Sequence, residues 1–164
     1  MEVWLLRHAA AEERSESGRD ADRGLTDEGV KRARAVARGL ATLEPGIELI
    51  LTSPYRRARQ TAEPVGRELG LERRLRESRS LEPGRDPQEI LEEIRAEGVA
   101  GVLLVGHEPH LGALLGRLVA GRPALTVPLK KAAVARVDWD GTGAGELRAL
   151  LPARILERLG AAGG

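Results

Sequence analysis

Residues 3–8 read Val-Trp-Leu-Leu-Arg-His, a short apolar run that ends abruptly at an arginine and a histidine. A run of this length with such a sharp end is typical of a buried β-strand. In open α/β sheets, ligands bind outside the carboxyl ends of the strands. Arg7 and His8 therefore stand where a ligand would bind, with a guanidinium that can hold an anion and an imidazole that can attack it.

A second histidine follows another apolar run. Residues 102–106 read Val-Leu-Leu-Val-Gly, and His107 comes directly after them. The chain has only three histidines, so two of them at strand ends far apart in sequence indicate function. A charged segment, 53–59, follows a third apolar run at 47–51. Because parallel strands end at the same edge of a sheet, we expect these three segments to converge on one pocket.

Apolar runs and helical patterns alternate along the chain, which predicts an α/β fold. We expect one domain over residues 1–164, a three-layer sandwich with a mostly parallel sheet and helices on both faces. The last two strands follow each other without a helix and predict an antiparallel edge hairpin. The predicted strands are 3–8, 47–51, 101–105, 132–139 and 146–151, with a weak extended segment near 73–80. The predicted helices start after Thr26, at 55 (to 69, interrupted or kinked at Pro64), after Asp86, at 111 (to 119) and at 152 (to 159).

Composition and charge exclude several classes of protein. The 26 Lys and Arg residues balance 25 Asp and Glu residues, for a formal charge of +1. This balance argues against a nucleic-acid or membrane partner, which usually requires a clustered basic excess. There is no cysteine, no signal-peptide pattern at the start, and no apolar stretch near the ~20 residues that span a bilayer. A cytoplasmic location is therefore the expectation.

The residues at the three strand ends suit phosphoryl chemistry. A guanidinium is a rigid fork that matches phosphate oxygens, and a transferring phosphoryl group needs its spread negative charge neutralised. Histidine can attack phosphorus itself if the attacking nitrogen is unprotonated and a hydrogen bond fixes the tautomer. Neighbouring arginines favour the neutral ring in the free protein.

Four ordered stretches carry a resemblance to a known family. They are Leu5-Leu6-Arg7-His8-Ala9, Arg23-Gly24-Leu25-Thr26 through Gly29, Ser53-Pro54-Tyr55-Arg56-Arg57-Ala58-Arg59-Gln60-Thr61 and Leu104-Val105-Gly106-His107. Together they resemble the histidine phosphatase superfamily, which includes the phosphoglycerate mutases. The short chain and the Arg-x-Leu-Thr-x-x-Gly stretch are most similar to the SixA-type phosphohistidine phosphatases. The resemblance runs from residue 2 to about residue 120.

The resemblance implies a role for each matching residue. His8 would be the phosphorylated nucleophile, and Arg7 and Arg57 would bind the phosphoryl oxygens. His107 would be the second pocket histidine and would donate to the same group. The family's phosphate-binding arginine comes four residues after the motif serine, Ser53, which selects Arg57 over its neighbours. No metal and no other cofactor are implied.

Two positions depart from the family pattern. Ala9 replaces the usual glycine, which is tolerable unless the position requires a positive φ. Many members also carry a Glu or Asp general acid after the third strand, where Glu82 is the nearest candidate and Glu77 a distant second. The imidazole of phosphohistidine leaves phosphorus with little help, because the P–N bond breaks readily. The alcohol of a phosphoester leaves poorly unless an acid gives it a proton. A missing acid would therefore favour phosphohistidine as the substrate.

These residues predict a metal-independent phosphatase that hydrolyses protein phosphohistidine through a phosphohistidine on His8. The expected partner is a phosphohistidine-bearing protein such as a phosphotransfer domain, or else a small phosphorylated metabolite. One alternative is a small-molecule phosphomonoesterase acting on sugar or nucleotide-like phosphates, and a second is an inactive phosphate- or phosphoprotein-binding module. A metal pair of His107 and His110 is disfavoured by the surrounding arginines, and His110 is expected to be an ordinary helix-start residue.

Overall fold

A six-stranded mixed sheet forms the centre of the computed structural model, which describes residues 1–123 and 125–162. The strands are β1 (Glu2–Arg7), β2 (Leu49–Thr52), β3 (Leu75–Glu77), β4 (Gly101–Gly106), β5 (Val134–Asp138) and β6 (Glu146–Leu151). The helices are α1 (Asp27–Ala41), α2 (Arg56–Glu68), α3 (Pro87–Glu97), α4 (His110–Ala120) and α5 (Ala153–Ala162). Short 3₁₀ turns cover Asp20–Asp22, Glu72–Arg74 and Arg79–Leu81.

The strand order is β3-β2-β4-β1-β5-β6. The first four strands of the chain pair in parallel, and β5 and β6 add an antiparallel hairpin next to β1. This arrangement confirms the predicted fold class. None of the helices in the described residues is long and apolar enough to cross a membrane.

Side chains along β1 alternate between two separate apolar cores, which makes the molecule three layers thick. Val3 and Leu5 pack in the core that holds α3 and α4. Trp4 and Leu6 pack in the core that holds α1, α2 and the α5 residue Leu156. The chain has no Phe, so branched aliphatic residues and alanine fill both layers, as the composition requires.

The predicted helix starts are confirmed in atomic detail. The Thr26 side chain accepts the Gly29 N–H at 3.0 Å and caps α1. Asp86 accepts the Gln88 N–H at 2.9 Å and caps α3, with Pro87 as the first helical residue. Each cap satisfies a backbone donor that the first turn leaves without a partner.

Of the two alternatives predicted for the second helix at Pro64, the interruption is wrong and the kink stays a prediction. α2 is continuous across Pro64, which is buried within it. A proline removes one N–H from the helix, but the buried neighbours Ala62 and Val65 anchor both sides of it in the core. Tertiary packing of this apolar face outweighs the local preference.

Strand boundaries differ from prediction mainly at the sheet edges. β3 is only three residues long because 3₁₀ turns occupy the rest of the 73–80 segment. β5 begins at Val134, since the Ala133 N–H bonds the Lys130 carbonyl in a turn and Ala132 has a positive φ of 58°.

The register of the parallel strands sets the position of the candidate site. Arg7 lies opposite Gly106 across the β1–β4 pair, and Thr52 lies opposite Val105 across the β2–β4 pair. The segments that follow β1, β2 and β4 therefore leave the sheet side by side at one edge. Since α1 and α4 pack on opposite faces, a crevice opens between the ends of β1 and β4, where ligands bind in such sheets.

Candidate active site

His8 is the first residue after β1 and is 8% exposed. Its backbone N–H continues the sheet by donating to the Gly106 carbonyl at 3.0 Å. Its ring Nδ1 lies 2.7 Å from the Ala9 carbonyl oxygen. A carbonyl only accepts, so Nδ1 carries the proton and Nε2 keeps a free lone pair. The arrangement presents the nucleophilic tautomer of the ring.

Two close backbone contacts fix the segment that follows His8. The Ala9 N–H donates to Thr61 Oγ1 at 3.1 Å, and the Thr26 N–H donates to the Ala10 carbonyl at 3.0 Å. Gly29 lies so near that a Cβ there would come within 2.0 Å of the Ala10 oxygen. The glycine of the Arg-x-Leu-Thr-x-x-Gly stretch is therefore required by packing against the active-site loop. Ala9 does not adopt a positive φ, so its methyl group strains nothing in the backbone.

His107 follows β4 and faces His8, with 5.0 Å between the ring centroids. Its Nε2 lies 2.8 Å from Ser53 Oγ, and the same Oγ accepts the Tyr55 N–H at 3.3 Å. A hydroxyl can both donate and accept, so Ser53 can hold Nε2 in either tautomer of the ring. Nδ1 of His107 is buried and has no hydrogen-bond partner among the residues that the structure describes.

Burial and nearby cations keep both pocket histidines neutral. Burial, together with the charges of Arg57, Arg7 and Lys131, lowers the pKa of His8 to about 4, against the opposing hydrogen bond to Ala9. Burial, His8 and Arg57 lower the pKa of His107 to about 3. The two rings are therefore uncharged at neutral pH. An uncharged His8 is ready for attack, and an uncharged His107 can donate through its single N–H.

The three histidines of the chain give a direct test of this electrostatic environment. Burial also lowers the pKa of His110, so we expect no ring to titrate with a midpoint at or above 6.5. The ring resonances, followed by two-dimensional ¹H–¹³C NMR from pH 8 down to 3.5, should move only below pH 5.5 for His8 and His107. The unfolded chain binds more protons than the folded one below pH 6.5, so stability should fall as the pH drops through this window.

A normal midpoint near 6.5 for His8, identified by the resonance missing in His8→Asn, would contradict the proposed neutral nucleophile. The unfolded protein in urea serves as the control, because its three rings should titrate together near the ordinary value.

Arg57 lies in the first turn of α2 and is 5% exposed. Its Nη1 donates to the Asp20 backbone carbonyl at 2.7 Å and its Nη2 to the Asp20 carboxylate at 2.9 Å. The guanidinium also lies over the Tyr55 ring, 5.0 Å from its centroid. Each terminal nitrogen of a guanidinium has a second N–H, so the fork can still take up phosphoryl oxygens.

The loop over residues 9–24 covers the site, as its position after His8 predicts. Asp20 reaches Arg57 from this loop, and Arg23 holds Asp20 through a 2.7 Å ion pair. Arg23 also donates to the Glu12 carbonyl at 2.6 Å. Partial burial raises the pKa of Asp20, but the hydrogen bonds from Arg23 and Arg57 hold it below its usual range. Asp20 is therefore ionised where it contacts Arg57. No sequence pattern predicted this contact.

Arg7 is held from the other side of the crevice. Its Nη1 donates to the Leu129 carbonyl at 2.7 Å, and the Leu129 N–H donates to Glu108 Oε1 at 2.8 Å. Glu108 follows His107 directly, so one loop anchors the segment that orients Arg7. Nε of Arg7 is buried and has no hydrogen-bond partner among residues 1–123 and 125–162. Sequence reasoning missed Glu108 and Leu129, because their contact joins the end of β4 to the segment before β5.

The carboxylates after β3 lie in different surroundings. Glu77 forms an ion pair with Arg59 at 3.1 Å on the surface. Glu82 is half-buried, and within the described ranges its side chain makes no hydrogen bond or ion pair. Its role as an acid therefore stays a prediction.

His110 begins α4 and is buried, and neither ring nitrogen has a hydrogen-bond partner in the described residues. In the part of the chain that the structure describes, no three His, Asp or Glu side chains gather as a metal site would require. The placement of His110 at the helix start agrees with the sequence-based expectation.

Comparison with known proteins gives consistent matches across the chain. Residues 3–82 match the family described as the histidine phosphatase superfamily, branch 1. The phosphohistidine phosphatase SixA of Escherichia coli K12 is 34% identical over 149 residues, which cover 88% of this chain and 89% of SixA. The SixA homolog of Haemophilus influenzae is 31% identical and covers 86% of this chain and 90% of its own length.

A solved structure of the protein histidine phosphatase SixA complexed with tungstate has a similar fold. It superposes with a TM-score of 0.86 at 31% identity, over 95% of this chain and 99% of that one. The similarity thus extends past the matched motifs into the β5–β6 hairpin and α5.

Proposed function

Because the chain belongs to the histidine phosphatase superfamily, we propose that it is a phosphatase that hydrolyses protein phosphohistidine through a covalent phosphohistidine at His8. The observation that carries the proposal is a neutral nucleophile beside unused polar groups. His8 keeps its Nε2 lone pair free, while the Arg7 Nε donor and His107 Nδ1 are buried without partners in the described part of the chain. Leaving a buried donor unpaired costs about 1–3 kcal/mol, which a phosphoryl oxygen would recover on binding.

The phosphoryl group would be held by hydrogen-bond donors from three directions. Arg7 and Arg57 would supply guanidinium donors from the end of β1 and the first turn of α2, and His107 would supply a neutral N–H from the end of β4 in the tautomer that carries the proton on Nδ1. Donors fixed before the substrate arrives stabilise the charge of the transition state without reorganisation. Arg57 and His107 are buried, as is Nε of Arg7, and this strengthens the effect because little water screens these groups.

The chemistry proceeds in two displacements at phosphorus. The Nε2 lone pair of His8 forms a bond to phosphorus while the substrate P–N bond breaks, and its electron pair returns to the departing imidazole. A water molecule then forms a new P–O bond as the bond to Nε2 breaks, so that inorganic phosphate leaves and His8 regains its lone pair. The Ala9 carbonyl takes part throughout by stabilising the positive charge that the phosphorylated ring acquires.

The carboxylates of the site fit an easily displaced leaving group. Asp20 is held ionised by two arginines and so has no proton to give. Glu108 accepts the Leu129 N–H, and Glu77 pairs with Arg59. Of the two candidate acids after β3, Glu82 is the one without a hydrogen bond or ion pair in the described residues. A departing imidazole needs less proton assistance than an alcohol, so the proposed substrate matches the donors that the site offers.

We further propose that the phosphohistidine belongs to a protein such as a phosphotransfer domain and that both proteins are cytoplasmic. The naming of the Escherichia coli relative as a phosphohistidine phosphatase supports the substrate class.

Substrate preference tests the proposal. A phosphohistidine peptide, p-nitrophenyl phosphate and a sugar phosphate are compared by phosphate release, with wild type, Glu82→Gln and the matched control Glu77→Gln. We expect kcat/KM for the phosphohistidine peptide to exceed that for the sugar phosphate by at least about 10², and Glu82→Gln to change it less than about threefold.

Two other results would support the alternatives. Faster turnover of the sugar phosphate, with a large loss in Glu82→Gln but not in Glu77→Gln, would make the protein a phosphomonoesterase that uses Glu82 as its acid. Phosphate binding without turnover of any of the three substrates would make it an inactive phosphate-binding module.

A further inference from the structure

A groove of about 730 Å³ opens beside the active site on the face formed by the β5–β6 hairpin and α5. Arg7, which directly precedes His8, is among its lining residues, so the groove adjoins the candidate active site. The segment before β5 contributes Lys130 and Lys131 to its lining, and the start of α5 contributes Arg154.

The charge of the groove is strongly positive although the chain as a whole is nearly neutral. Five cations line it, namely Arg7, Arg32, Lys130, Lys131 and Arg154, against a single carboxylate, Glu157. Glu157 is already paired with Arg32 at 2.7 Å. Across residues 1–123 and 125–162, no carboxylate lies within ion-pair distance of Lys130, Lys131 or Arg154, and all three are exposed.

Exposed arginines elsewhere either pair with neighbouring acids, as Arg19 and Arg85 do, or stand without an ion pair in the described residues, as Arg73 does, but here three cations without ion pairs line one groove beside Arg7. Two of the three lysines in the chain stand together here. The cations of the groove also act electrostatically on the candidate active site, since Lys131 is among the charges that lower the pKa of His8.

Apolar side chains line the same groove as the cations. Leu150, at the end of β6, is 47% exposed and lines the groove together with the exposed prolines Pro128 and Pro152. A partly exposed apolar strip with a charged rim is typical of a protein–protein interface. An apolar strip of this kind offers little to a small, highly charged phosphorylated metabolite.

We propose that this groove is the docking surface for the protein that carries the phosphohistidine, and that the partner presents acidic side chains around an apolar residue next to its phosphorylated histidine. The proposal rests on the proposed function and adds the chemistry of the partner's flanking surface. The acidic residues would pair with Lys130, Lys131 and Arg154, and the apolar residue would cover Leu150. Complementary charge would speed encounter and orient the phosphohistidine toward Arg7.

Peptides separate docking from catalysis. Two peptides carry a stable phosphohistidine analogue, phosphoryltriazolylalanine, with either Glu-Leu-Glu or Lys-Leu-Lys flanks, and their Kd is measured by fluorescence anisotropy at 50 mM and 500 mM salt. We expect the acidic peptide to bind about tenfold more tightly at low salt and to lose most of that preference at high salt.

Variants with reversed charges inside and outside the groove show which residues produce the preference for the acidic peptide. Lys130→Glu/Arg154→Glu should abolish the preference for the acidic peptide, and Leu150→Ser should weaken both peptides. The control Arg73→Glu/Arg122→Glu reverses two exposed arginines outside the groove and should keep the preference. Hydrolysis of free phosphoramidate, which has no flanking residues, should stay within about twofold of wild type in every variant.

Equal Kd values for the two peptides with wild type would overturn the docking proposal, as would loss of the preference in the Arg73→Glu/Arg122→Glu control. Tight, groove-dependent binding to phosphatidylglycerol vesicles without any peptide preference would overturn it in favour of a membrane surface. The proposed function fails separately, if wild type does not hydrolyse phosphoramidate or a phosphohistidine peptide while the analogue peptides still bind.

Discussion

His8→Asn is expected to lower turnover of every phosphoryl substrate on the order of 10⁴-fold or more, because it removes the only atom placed to form the covalent intermediate. Asparagine is smaller than histidine, but its Nδ2 corresponds in position to Nδ1 of the ring and can still donate to the Ala9 carbonyl that now fixes the ring at 2.7 Å. The variant therefore retains this hydrogen bond while losing the nucleophilic nitrogen. Phosphate release from a phosphohistidine peptide and from p-nitrophenyl phosphate measures the loss.

Two companion measurements make the result specific to chemistry. Wild type, quenched during turnover of ³²P-labelled substrate, should carry an acid-labile and alkali-stable label that His8→Asn lacks. The variant should still bind inorganic phosphate within about tenfold of wild type, since the guanidiniums and His107 remain. His110→Asn changes the remaining histidine outside the pair and should retain turnover within about threefold. Turnover by His8→Asn within tenfold of wild type would refute the covalent mechanism.

The convergence of His8 and His107 could be predicted from sequence because it depends on topology. Each histidine follows an apolar run, and parallel strands end at a common edge, so the two residues must approach each other whatever the details of packing. The register then places them side by side, with ring centroids 5.0 Å apart. The caps at Thr26 and Asp86 were predictable for a similar reason, since each depends on residues within one helical turn.

The contacts that tune the site were beyond sequence reasoning because they join segments without a shared pattern. Asp20 reaches Arg57 from a loop with no apolar periodicity, across 37 residues. Leu129 reaches Arg7 across 122 residues, through a segment whose position depends on β5 joining the sheet beside β1. The docking groove arises from the same antiparallel addition, which lies beyond the residues that carried the family resemblance.

Arg57→Ala is expected to lower kcat/KM by about 10²–10³, whereas Arg56→Ala should change it less than about threefold. The two arginines are adjacent in sequence, but the start of α2 turns them to different surroundings. Arg57 is 5% exposed, lies over Tyr55 and is near enough to His8 to lower its pKa. Arg56 is exposed on the outer side of the helix. Steady-state kinetics on the phosphohistidine peptide and inhibition by inorganic phosphate measure both effects.

The charge and the geometry of Arg57 contribute separately, and Arg57→Lys distinguishes them. A lysine retains the positive charge but cannot offer two parallel N–H groups, so its activity should fall between wild type and Arg57→Ala. Loss of the ion pair with Asp20 does not account for the effect, because that carboxylate is half exposed and such pairs stabilise a fold by at most about 1 kcal/mol. Asp20→Asn should accordingly leave the unfolding midpoint nearly unchanged and strengthen phosphate inhibition, since it removes a negative charge that competes for the same guanidinium. Equal losses in Arg56→Ala and Arg57→Ala would show that the fork over Tyr55 does not hold the phosphoryl group, and would move that role to the outer arginine.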